Sequence, residues 1–267
     1  MVAHQVASGT VRAPTDVGAS VPNLPHSLAI GAVLPMEPEP ATGCGRDRPE
    51  VTMDFDLMLA SRPKLRGRLH QLAMLASVAG LVWLVRSAHT GRAELAAWIY
   101  GLASILLYLT SSSYHVFARS PRARRIMQRA DHSMIFVLIA GSFTPVALLG
   151  MPDPWRWIAL IVMWGGAVGG VLLKVLAMER FPKLGAAAYI VLGWAGLAAL
   201  PFLWHRPGTL ALVGIGGGLY TLGAILFALH RPVLSPRWFG YHEVWHSFGV
   251  AAGAFLFAAN LGLVRAG

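Results

Sequence analysis

Tyr241-His242-Glu243-Val244-Trp245-His246-Ser247-Phe248 opens a stretch that continues almost without charge to Val264, and its reading decides the fold. It reaches the roughly 17 to 25 residues that cross a bilayer as a helix. Residues at i and i+4 share a helix face, so His242 and His246 can present two imidazoles to one metal ion. Ionisable groups in or at the rim of a membrane helix are unfavourable, and two on one face ask for a role. Three readings compete at this point: a metal site, a pair of headgroup-facing interfacial histidines, and HExxH, the zinc-protease helix whose glutamate is a general base.

Working outward, six further apolar runs of spanning length precede this one, at approximately Leu69–Val85, Leu95–Phe117, His132–Gly150, Trp155–Met178, Leu184–Leu203 and Leu210–Leu229. The expected fold is all-α, a polytopic bundle of seven transmembrane helices over residues 61–267. Gly214, Gly216, Gly217, Gly218 and Gly223 loosen the sixth run and make its bounds the hardest to place. In the fourth, Gly165, Gly166, Gly169 and Gly170 form two overlapping GxxxG pairs, the spacing for close helix contact. Pro145 should kink the third run, with Ser142 and Thr144 able to bond the carbonyl it releases. Residues 1–60, with proline clusters and little apolar periodicity, read as a disordered tail without a secretory signal.

Composition agrees: 55% of the 267 residues are hydrophobic and 13% are charged, with mean hydropathy +0.57, far from a soluble domain. The formal charge of +10 does not imply nucleic acid, because the basic residues cluster between apolar runs, where they set topology. Arg62, Lys64, Arg66 and Arg68 precede the first run, and Arg119, Arg122, Arg124, Arg125 and Arg129 lie between the second and third. By the positive-inside rule these segments are cytoplasmic, so the N-terminus is expected inside and the C-terminus outside, in a plasma membrane. Cys44, the single cysteine, excludes an internal disulfide and a cysteine-based zinc site. A metal here must use histidine and carboxylate.

With the topology drawn, His115 ends the second run, Asp131 opens the third, and His242 and His246 open the seventh, all at the cytoplasmic end. Loop charge set that topology without reference to the histidines, so their convergence favours the metal reading. His115, His242 and His246 with one open position match the catalytic type of zinc site, and Asp131 is then a fourth ligand or the base that holds the water. Ser111, one turn before His115, is placed to orient it or to bind a developing oxyanion. Glu243 should turn about 100° from His242, towards a neighbouring helix or headgroups. His70 begins the first run at the same end; His89, His205 and His230 have no partner at ligand spacing.

Ser111-Ser112-Ser113-Tyr114-His115, Asp131-His132-Ser133-Met134-Ile135-Phe136, Gly141-Ser142-Phe143-Thr144-Pro145 and Tyr241-His242-Glu243-Val244-Trp245-His246 together resemble the hemolysin III branch of the progestin and adipoQ receptor family, over about residues 62–264. The resemblance implies a seven-helix membrane protein holding zinc with His115, His242 and His246, with Asp131 and Ser111 at the family's aspartate and serine positions. Similarity to the wider group that contains alkaline ceramidases implies hydrolysis of a lipid amide by zinc-activated water, with membrane lipids as partners and a lipid as substrate. One element departs: many relatives carry a glutamate and an asparagine before the first-helix histidine, where Arg66, Gly67 and Arg68 precede His70 here. Four functions follow for weighing: a zinc hydrolase, a hemolysin-like membrane-perturbing or pore-forming protein with structural zinc, a receptor-like protein, and an HExxH protease.

Overall fold

The structure, a computed structural model, describes residues 63–267; the expected tail at 1–60 lies outside the described residues. The described chain is helical: α1 (Arg68–Arg86), α2 (Gly91–Phe117), α3 (Pro121–Gly150), α4 (Trp155–Ala177), α5 (Pro182–Ala195), a 3-10 turn (Gly196–Ala199), α6 (Leu200–Leu203), α7 (Pro207–Ala228) and α8 (Tyr241–Ala266). Seven spans are long and apolar enough to cross a membrane, the fifth being Leu184–Leu203, built from α5, the turn and α6. Large apolar side chains such as Leu72, Ile161, Leu176 and Val191 lie exposed around the bundle, where lipid replaces a protein partner.

Between lipid-solvated helices the hydrophobic effect gives little drive, so small residues that allow close approach do most of the packing. Ala93, Ala96, Ala97 and Ala103 of α2 are buried. A Cβ on Gly141 of α3 would stand 2.5 Å from that of Ala103, and one on Gly101 would meet Leu81 of α1 at 2.5 Å. The two GxxxG pairs of α4 divide their labour: Gly166 admits Leu192 and Gly170 admits Phe136, whereas Gly165 and Gly169 face open space. In α7 the expected loosening does not break the helix, because Gly216 receives Leu256 and Gly223 receives Phe248 and Trp245 of α8.

One boundary differs by several turns from the hydropathy reading. The third span begins at Pro121, eleven residues before His132, so most of the basic segment is the first turns of α3. Ser120 caps that start by accepting from the Ala123 amide at 3.2 Å, with Pro121 behind it in the first helical position. At Pro145 the hydroxyls of Ser142 and Thr144 donate to the carbonyls of Ile139 and Ala140, leaving the carbonyl of Gly141, four residues before the proline, to other means. Asn260 of α8 donates to the Ser142 carbonyl at 3.1 Å and ties α8 to α3 there.

α8 packs against α1, α2, α3 and α7, which makes it the central post of the bundle. Alternating passes bring the C-terminal ends of α2, α4 and α7 and the N-terminal ends of α3, α5 and α8 to one end, called here the histidine end.

Candidate metal centre

His115 stands in the last turn of α2, and His242 and His246 occupy the first two turns of α8. The Nε2 atoms of His115 and His242 are 3.2 Å apart. One nitrogen from each of His115, His242 and His246 lies within 4.8 Å of the others. The i, i+4 spacing sets the α8 pair on one face, and packing of α2 on α8 delivers the third ring. Nitrogens bound to one tetrahedral zinc at its usual bond length stand roughly 3.3 Å apart, so the closest pair already has ligand spacing. The donor set, three imidazoles without a carboxylate among them, fits zinc, and these are the residues that would hold it.

Asp131 does not join that group. It is buried at the start of the apolar part of α3, with the Ser111 side chain within interaction range of its carboxyl. The two expected non-histidine site residues therefore lie near each other, outside the three-nitrogen group.

His70 is closer to the centre than its sequence position suggested. Its ring stacks on His246 with centroids 3.8 Å apart and meets the edge of Tyr108 at 5.1 Å. His70 is outside the three-nitrogen group and its buried Nδ1 has no hydrogen-bond partner. It forms a wall that fixes the plane of the His246 ring. His89, His205 and His230 do not join the cluster.

Glu243 does not face headgroups. It is 2% exposed and both oxygens are engaged: Oε1 with Arg66 Nε at 2.5 Å, Oε2 with the Gly240 amide at 2.8 Å. The second bond caps the first turn of its own helix. Both carboxylate oxygens are committed, to Arg66 and to the Gly240 amide, and Glu243 does not join the three-nitrogen group, which argues against the HExxH reading. The Arg66-Gly67-Arg68 element, which looked degraded against related sequences, is part of the centre. Gly67 has φ of 81°, and a Cβ there would stand 2.7 Å from that of His115. Just before it, the Lys64 and Leu65 amides donate to the carbonyls of Arg237 and Trp238 at 3.1 and 3.3 Å, while Lys64 Nζ lies over the Trp238 ring. One local signal pointed this way: a glutamate inside a membrane helix needs a cation, and Arg66 is at the right end of the bundle.

A seven-span bundle with a partly buried histidine cluster at one end defines a multi-pass integral membrane protein. The Haemolysin-III related family matches residues 58–257, and the chain belongs to that family. It is 32% identical over 193 residues to Hemolysin-3 of Bacillus cereus, covering 70% of this chain and 85% of that one. The Hemolysin-3 homolog of Bacillus subtilis is 31% identical, covering 70% and 87%. More distant is the human monocyte to macrophage differentiation factor, 23% identical over 69% of this chain and 77% of its own. These relatives place the chain in the hemolysin III branch of the progestin and adipoQ receptor family.

Proposed function

We propose that this protein is an intramembrane hydrolase that cleaves a lipid amide with the help of zinc held by His115, His242 and His246. The observation that carries the reading is the trio of imidazole nitrogens within 4.8 Å of one another at the end of an otherwise apolar bundle. When bound, zinc supplies Lewis acidity that polarises a carbonyl and makes water a stronger acid near neutral pH.

The chain's own residues divide the remaining work. Asp131 takes a proton from the attacking water, and Ser111, close to that carboxyl, orients it. His70 and Tyr108 close the apolar side of the centre around His246, and Glu243 with Arg66 anchors the helix that bears two of the imidazoles. The lipid amide as substrate rests on the similarity to the group containing alkaline ceramidases.

The relatives' name, Hemolysin-3, carries the second reading. In it the protein perturbs membranes and the metal only ties α2 to α8. Metal analysis of the purified protein, joined to hydrolysis assays on N-acyl sphingoid and other lipid amides, separates the two. One zinc per chain with chelator-sensitive turnover supports the hydrolase; zinc without turnover on any lipid amide overturns it.

A further inference from the structure

A second polar cluster lies at the histidine end, between α4 and α5, and the hydrolase reading does not use it. Lys174, in the last turn of α4, is 4% exposed. Its Nζ lies over the Tyr189 ring at 4.9 Å and fills the notch left by Gly185, where a Cβ would stand 2.3 Å from it. Among the described residues this ammonium has no ion-pair partner and no hydrogen-bond acceptor. A buried cation without a counter-ion is strongly unfavourable in a membrane helix bundle.

The surroundings add to the imbalance. Lys174 points into the first turn of α5, the positive end of that helix, whose amides ahead of Gly185 have no intrahelical acceptor. α5 has neither a capping side chain nor an acidic residue in that turn. His132, within electrostatic reach of Lys174, has a buried Nδ1 without a partner, and Arg129 has a buried Nε without one. The remaining donors of Arg129 go to the Val175 carbonyl and to the exposed Glu179. Tyr189 gives its hydroxyl proton to the His132 carbonyl, so it offers the ammonium only its ring face. The Lys174 ammonium and the Arg129 Nε are thus left here without acceptors.

We propose that the mouth of this notch binds the phosphate of an anionic phospholipid, with Lys174 as its central contact and the first-turn amides of α5 beside it. Phe181 and Leu184, which flank the notch in sequence, lie exposed, an apolar rim suited to acyl chains and unsuited to a free ion. Basic pockets between membrane helices are recognised headgroup sites, and an anion at a helix N-terminus meets free N–H groups.

The test is native mass spectrometry of the full-length protein released from mixed micelles of phosphatidylglycerol and phosphatidylcholine at equal content. The ratio of the two retained lipids is internal to each spectrum, so a change in yield or stability does not move it. Wild type should retain phosphatidylglycerol preferentially, K174M should lose about fivefold of that preference, and K174R should keep most of it. Equal ratios in wild type and K174M overturn the site. Removal of the retained phosphatidylglycerol by millimolar inorganic phosphate also overturns the lipid assignment, in favour of free phosphate.

Discussion

Arg66 and Glu243 are 177 residues apart in sequence and 2.5 Å apart in space, joined Nε to Oε1 at the histidine end of the bundle. The pair fastens the approach to α1 onto the first turn of α8, where His242 and His246 stand. Arg66 is partly exposed while Glu243 is sealed, so the loss falls mainly on the carboxylate when the pair is broken.

Arg66→Met should therefore lower thermal stability in detergent more than Glu243→Gln, which keeps an oxygen for the Gly240 amide and leaves no buried charge. The double variant should recover part of the loss, with a coupling of about 0.5–3 kcal/mol. Additive effects in that cycle would show that the contact carries no energy. Both single variants should also bind metal more weakly, since the helix that carries two of the rings loses its anchor.

Metal content gives the second prediction. His115→Ala and His246→Ala should each lose most bound zinc by elemental analysis, while His230→Ala should retain it. His70→Phe should keep both the stacked ring and the metal. Loss of zinc from His70→Phe would make His70 a ligand and the centre a closed, four-histidine site.

Proton competition fixes the direction of the pH response. Coordinating imidazole must be neutral, so zinc should be retained at neutral pH and released as pH falls through and below the ordinary imidazole range near about 6.5. Dialysis against a weak chelator at stepped pH measures it, and pH-independent retention would argue for a different donor set.

Asp131→Asn preserves size but removes the base. It should fold and bind zinc as wild type does, and lose roughly 10²- to 10⁴-fold in lipid amide hydrolysis. Ser111→Ala should be milder, because it frees Asp131 without neutralising it. Full activity in Asp131→Asn would remove it from the mechanism.

Orientation is tested with reporters. Fusions after Ser120 and after Arg237 should read cytoplasmic and one after Arg265 should read outside, as the basic segments require. The reverse pattern would move the histidine cluster to the opposite face.

The seven spans were legible because a membrane helix writes its length in a single apolar run. The HxxxH pair was legible because i, i+4 is a local rule. The start of α3 was hidden from hydropathy by Arg122, Arg124, Arg125 and Arg129, although Ser120-Pro121 spelled a helix start. The partner of Glu243 was hidden for a different reason: helical rotation says which way it leaves α8, but Arg66 lies 177 residues away, and nothing local announces a contact at that separation. Arg66 departs from related sequences, and its place follows instead from the charge it neutralises. The stacking of His70 on His246 likewise depends on how α1 leans on α8, which no periodicity encodes.

The clasp between residues 64–66 and the segment from Arg237 to Glu243 also sets an order of events during biogenesis. When α1 enters the bilayer, every partner of its leading edge is still untranslated, and at bacterial elongation speeds Glu243 follows Arg66 by roughly ten to thirty seconds. His115 likewise waits for the emergence of α8 before its two companion rings exist. A ribosome stalled or a chain truncated before the last span leaves that arginine and that imidazole without these partners. Closure of the first span onto the last therefore comes only once the whole bundle has been made.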